Sequence, residues 1–288
     1  MKRRSETNYM TLPNFLIIGD VKCGTSSLYR YLNQHPAVFM PTKLKEARFF
    51  CYDGTEDGRI RINVKTLEEY ESLFDEVTTE TAIGEASPHY LVVPHAATAI
   101  KKLIPHAKLI ASLRNPVDRA YSLYQMRQRE HGLFKGMTFL QALESEPRLL
   151  GGYAPHLERY YSLFPKEQIK VVFFEQMVKD ASGVVKELFE FLEVDPDFTP
   201  DVSAVFNPGG VPKNKLLFKL LNNRTVRRLK TYFPSFIVKS LSGLRKANLK
   251  AVKLTPEERA EAQVRFKEVI DRTEDVIGRD LSLWRAAK

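Results

Sequence analysis

The sequence predicts an α/β fold: a doubly wound parallel sheet flanked by helices, with a basic helical appendage towards the C-terminus. Three observations predict it. The uninterrupted apolar run Phe15-Leu16-Ile17-Ile18 ends in Gly19 and is followed by a loop and a helical pattern, which suits a strand buried on both faces. Later apolar segments alternate with helical periodicity, the order that builds parallel βαβ units. After Pro200 the texture changes to a Gly/Pro loop and then a long basic stretch.

The elements follow in chain order. Leu28, Tyr31 and Leu32 recur at helical spacing after the loop Lys22-Cys23-Gly24-Thr25-Ser26-Ser27, whose hydroxyl residues suit a helix cap, and His35-Pro36 stops the pattern. Further strands are expected at Ala82 to Ala86, Lys108 to Leu113 and Ile169 to Phe174, with helices at about 95–104, 117–130, 155–164 and 181–192 between and after them. The last helix is announced by Thr255-Pro256-Glu257-Glu258, which combines a cap, a proline at the first helical position and a glutamate at the third. Gly278 closes it.

A chain of 288 residues with 43% apolar composition buries a large core, so global disorder is excluded. The expected organisation is a tail over 1–12 and one domain over 13–288, with 202–256 as a basic lid or appendage inside it. No apolar stretch approaches the roughly 18 residues of a membrane span, and the N-terminal MKRRSETNYM has neither the apolar core nor the cleavage site of a secretory leader; a cytoplasmic address follows. Two cysteines, Cys23 and Cys51, make no disulfide framework. The net charge of +9 is local: Val202 to Pro256 holds twelve of the 44 Lys and Arg and none of the 35 Asp and Glu. Such a segment suits an anionic small ligand, a peripheral contact with an anionic membrane or nucleic acid, or simply the solvated faces of helices.

The sharpest motif is Gly19-Asp20-Val21-Lys22-Cys23-Gly24-Thr25-Ser26, placed between a buried strand and a helix, where backbone amides and the helix dipole hold an anion. The loop is P-loop-like without being a Walker A sequence, because Lys22 precedes Gly24 by two residues instead of following it. A nucleotide kinase is therefore disfavoured but remains the alternative enzyme class. Cys23 lacks an arginine at phosphatase spacing, since Arg30 is one residue too far, and it is taken as a small loop residue. The six histidines show no paired ligand spacing, so no metal is expected.

Three segments resemble the PAPS-dependent sulfotransferases, particularly the branch of heparan sulfate sulfotransferases and related bacterial enzymes; PAPS is 3'-phosphoadenosine 5'-phosphosulfate. They are Pro13 to Leu28, Leu113-Arg114-Asn115-Pro116-Val117-Asp118-Arg119-Ala120-Tyr121-Ser122, and Gly152 to Arg159 with the following Phe164-Pro165 and strand at Ile169. The resemblance implies that Lys22, Cys23, Gly24, Thr25, Ser26 and Ser27 hold the 5'-phosphosulfate and that Arg114 and Ser122 grip the 3'-phosphate. The implied reaction moves a sulfuryl group in line to a hydroxyl, or an amine, on a glycan or small natural product and leaves PAP, the bisphosphate product. Lys22 would stabilise the leaving phosphate. Glu85, in Gly84-Glu85-Ala86-Ser87-Pro88-His89-Tyr90, resembles the family's base, with His89 as its competitor. Lys45 and Arg48, in Lys43-Leu44-Lys45-Glu46-Ala47-Arg48-Phe49-Phe50, resemble a segment beside the acceptor cleft.

The resemblance loosens after about residue 200. Gly209-Gly210-Val211-Pro212-Lys213-Asn214 stands where heparan-type enzymes carry a Lys-Gly-Arg loop that closes on the nucleotide, and only Lys213 is left to take that part. Nucleic acid is not an expected partner, and the third reading, a non-enzymatic binder of anionic surfaces, would work through 202–256.

Overall fold

A computed structural model describes residues 11–55, 58, 60–203, 210–221, 241, 243–244, 247–250 and 252–286. The expected tail therefore lies almost wholly outside the described residues, as does much of the basic segment. The fold is the expected P-loop-like parallel sheet flanked by helices, and it divides into two compact units.

The first unit comprises Met1–Asn115, Gly152–Phe206 and Arg272–Arg279. Its sheet contains β1 (Phe15–Gly19), β2 (Val38–Phe39), β3 (Ala82–Ala86), β4 (Lys108–Leu113) and β5 (Ile169–Phe173), in the order β2-β3-β1-β4-β5. Every pairing is parallel. β1 is central and wholly buried, as its unbroken apolar run requires. Phe15 and Ile17 share a core with Leu28, Tyr31 and Leu32 of α1 (Thr25–Leu32) and with Val185, Leu188 and Phe189 of the helix Ala181–Leu192. Leu16 and Ile18, which alternate to the other side of the strand, are equally closed to solvent.

The unit also holds α2 (Leu67–Glu71) and α3 (Ala96–Leu103). The second unit, Pro116–Gly151, Asn207–Asp271 and Asp280–Lys288, opens with α4 (Pro116–His131) and α5 (Phe139–Ser145). The chain then returns to the first unit for α6 (Ala154–Leu163), α7 (Phe174–Lys179) and α8 (Ala181–Leu192). In the second unit follow the paired strands β6 (Val211–Pro212) and β7 (Leu249–Lys250) and the helix α9 (Lys215–Leu221). The long helix α10 (Pro256–Ile277) and α11 (Ser282–Arg285) end the chain. Within that unit Arg259 pairs with Asp118 at 2.6 Å, and Arg129 donates to the Gly210 carbonyl at 2.7 Å. No helix among the described residues is long and apolar enough to cross a membrane.

Chain order puts β1 between β3 and β4, so successive connections leave β1 in opposite directions. In open α/β sheets a ligand binds at the carboxyl ends of strands at such a switch point. The segments ending β1, β3 and β4 are the loop at Lys22, the turn at Ser87 and Arg114.

Candidate active site

The loop after β1 turns through Lys22 at φ 72° and Gly24 at φ 85°, both left-handed. At Gly24 an added Cβ would also lie 2.3 Å from Met177 Cε and 2.9 Å from Phe174 Cδ2, so glycine is required by conformation and by space. The loop is pinned to β4: the Asp20 amide donates to the Ser112 carbonyl at 2.6 Å, and the Ser112 hydroxyl donates to the Cys23 carbonyl. Gly24 occupies the cap position of α1, and no side chain caps this helix. The Ser27 amide donates to the Gly24 carbonyl at 2.9 Å, and the helix dipole favours an anion at this end.

Thr25 and Ser27 are buried, whereas Ser26 is half-buried. Cys23 is wholly buried with its sulfur 3.6 Å from the Tyr153 hydroxyl. That phenol donates to the Arg114 carbonyl at 2.8 Å and accepts from the Arg114 amide at 3.3 Å, tying the end of β4 to the loop. The Arg114 guanidinium lies 4.4 Å from the Phe174 ring centroid, and its Nη1 donates to the Lys22 carbonyl at 3.2 Å. Its Nε is buried without a hydrogen-bond partner. A buried orphan donor on a permanent cation, beside an uncapped helix N-terminus, fits an anionic group such as a nucleotide phosphate.

A second cluster stands at the end of β3. Glu85 is wholly buried, its Oε2 accepting from the Ser87 hydroxyl at 2.8 Å and its Oε1 from the Tyr70 hydroxyl at 3.4 Å. Burial pushes its carboxyl up to about 7, against the lowering pull of Tyr90, Ser87 and the Ala47 amide; the Tyr90 hydroxyl is near enough to act although it makes no well-formed hydrogen bond. Ser87 also accepts the Arg48 amide at 2.9 Å, and Arg48 has φ 55°. Glu85 and Ser87 together therefore clamp the backbone of the segment 47–48.

Glu46 immediately precedes that segment, with 26% of its side chain exposed. It pairs with Arg48 through Nη2 and, at 3.2 Å, Nε, and its Oε1 is 3.4 Å from Lys45 Nζ. Burial opposes ionisation, but Lys45 and Arg48 overcome it and hold the carboxyl below its usual value. Lys45 Nζ in turn donates to Ser26 Oγ at 2.9 Å. Burial pushes the imidazolium of His89 down to about 4, with Arg48 adding to the effect, and its Nδ1 is buried without a partner. His89 is thus neutral at neutral pH.

The first unit accordingly carries the loop 22–27, Lys45, Arg48, Glu85, His89 and Arg114 at or beside the carboxyl ends of β1, β3 and β4. The other two expected residues lie in the second unit: Ser122 is half-buried on α4, and Lys213 is exposed after β6, its amide donating to the Asn248 carbonyl at 2.7 Å. Sequence reasoning passed over Glu46 and Tyr153. Both lie inside segments that carry the family resemblance; for Glu46 its position between two cations, Lys45 and Arg48, was a further signal, whereas the contacts of Tyr153 with Cys23 and Arg114 are long-range.

The sequence profile of the family described as "Sulfotransferase domain" matches residues 12–208, more than half the chain. The bifunctional heparan sulfate N-deacetylase/N-sulfotransferase 3 of Homo sapiens is 31% identical over 218 residues, covering 68% of this chain and 24% of its own length. The corresponding protein 4 of Mus musculus is 30% identical with the same coverage. The chain therefore spans about a quarter of the length of the curated relatives it matches. A solved structure, the sulfotransferase from Alicyclobacillus acidocaldarius, is 32% identical with a TM-score of 0.72 and covers 96% of this chain and 100% of that one.

Proposed function

The chain belongs to the PAPS-dependent sulfotransferase family, and on that premise we propose that its cradle around Lys22 binds PAPS and that the group receiving the acceptor's proton is Glu46. PAPS supplies a sulfuryl group already activated by its link to a phosphate. A lone pair of an acceptor hydroxyl or amine forms the new bond to sulfur; the bond from sulfur to the bridging oxygen breaks, and its electron pair stays on the phosphate of PAP. The acceptor's proton passes to the carboxylate. Catalysis of this kind is mainly positioning and charge stabilisation.

The amides of Gly24, Thr25 and Ser26 at the uncapped start of α1 are suited to the 5'-phosphosulfate, with Cys23 and Ser27 shaping the loop. Lys22, at the turn, stabilises the charge growing on the leaving phosphate. Arg114 offers its unpartnered Nε to the 3'-phosphate. Family resemblance adds Ser122 to that phosphate and Lys213 to the nucleotide cover. The acceptor lies beside Arg48, with neutral His89 as a hydrogen-bonding neighbour, and is a glycan or small natural product.

One observation carries the choice of base. Glu85 is wholly buried and its carboxyl is pushed up to about 7, whereas Glu46 is partly open and ionised; a base must reach the proton it takes. The test is turnover with labelled PAPS across glycan amines, glycan hydroxyls and phenols, for Glu46→Gln and Glu85→Gln. The expected loss is about 10²-fold or more in kcat for E46Q, with PAP affinity kept, and less than about tenfold for E85Q. The reverse order returns the role of base to Glu85.

A further inference from the structure

We propose that Lys45 is a catalytic residue of the donor side, its ammonium touching the sulfuryl group in transit, and is not an acceptor-binding residue. The inference rests on the donor site proposed above. Lys45 Nζ is 2.9 Å from Ser26 Oγ and 3.4 Å from Glu46 Oε1. Ser26 is the second residue of α1, so its hydroxyl stands at the anion cradle; Glu46 is the carboxylate that takes the acceptor's proton. In-line transfer places the sulfur between the leaving phosphate and the attacking atom. The ammonium spans the same interval, bridging the two groups that bound the path.

The lysine's other surroundings agree. Its Nζ lies 6.0 Å from the Tyr29 ring centroid, and its side chain is 26% exposed, so one side remains accessible to a ligand. Burial depresses the ammonium below the usual lysine value although Glu46 and Glu85 pull the other way, with Arg30 adding to the depression. The negative charge around it is thus less than its desolvation calls for, and Glu46 is shared with Arg48. The sulfuryl oxygens, absent from PAP, are the anionic group that would complete its shell. Charge spreading over those oxygens during transfer would meet a positioned cation.

The difference between donor and product isolates this contact, because PAPS and PAP share every other group. Titration calorimetry of wild type, Lys45→Ala and Lys45→Met without acceptor should show PAPS weakened about tenfold or more, with PAP affinity within about twofold of wild type. Retained PAP binding also reports that the cradle is folded. In turnover the substitution should lower kcat and leave the acceptor KM nearly unchanged. Equal losses for PAPS and PAP would make Lys45 a structural prop of α1 and overturn the proposal. Unchanged affinity for both, with a raised acceptor KM, would return it to the acceptor side and overturn it equally. Wild-type protein that binds neither nucleotide would instead overturn the donor site itself.

Discussion

Two glutamates at the end of β3 and in the segment beside it illustrate how surroundings assign roles to identical side chains. Glu46, flanked by Lys45 and Arg48, is held ionised; Glu85, walled in by Tyr70, Tyr90 and Ser87, is pushed up to about 7. The higher value has a consequence for stability. An unfolded glutamate titrates near 4.3, so between that pH and about 7 the folded protein holds a proton that the unfolded chain has lost, and stability falls as pH rises. The stabilisation is fully present below the unfolded value and is lost through pH 7, amounting to at most about 4 kcal/mol. Glu85→Gln, which cannot ionise, should therefore gain on wild type between pH 5 and pH 8 in urea unfolding. Parallel curves for the two proteins would show that Glu85 ionises without cost. None of this burial was visible in Gly84-Glu85-Ala86-Ser87, where the end of a strand and a resemblance to the family's base were legible but not what packs around the carboxyl. Burial of Glu85 depends on Tyr70, fifteen residues away and on a helix that the apolar periodicity did not reveal.

The β1, loop and α1 assembly was the most legible part of the chain, because a buried run, a glycine turn and a helical pattern each leave a local mark. Gly24→Ala should lower stability by about 1 to 3 kcal/mol from left-handed strain and overpacking against Phe174 and Met177, and it should weaken PAP binding more than tenfold. A melting temperature and affinity like those of wild type would contradict the account of the cradle. The long strands and the helices α3, α4, α6, α8 and α10 stand within a residue or so of expectation. Thr255 accepts from the Glu258 amide while Glu258 accepts from the Thr255 amide, as the capping pattern implied, and Gly278 follows α10 at φ 62°. The short α2 and α5 went unnoticed although Thr66 with Glu69 and Thr138 with Gln141 carry the same signature. Strands of two residues, β2, β6 and β7, have no periodicity to detect.

For the protein as a whole, ligand binding offers the broadest test. PAP at a hundred times its dissociation constant stabilises the folded state by about 2.7 kcal/mol and should raise the melting temperature by several degrees. Arg114→Ala should abolish most of that rise while leaving the smaller one produced by adenosine 5'-phosphate, which has no 3'-phosphate; equal losses for both nucleotides would dissociate Arg114 from that group. The sequence alone determined the α/β class, the parallel strands, the glycine turn from β1 into α1 and the arginine two positions before α4, because each depends on neighbours within one turn or one strand. It could not determine the strand order β2-β3-β1-β4-β5 or the division into two compact units. Nor could it separate an open carboxylate from a buried one, or show Lys45 meeting Ser26. Those were decided by the tertiary structure, since charge, burial and reach at a site depend on which distant segments pack together, and one-dimensional spacing carries no record of that.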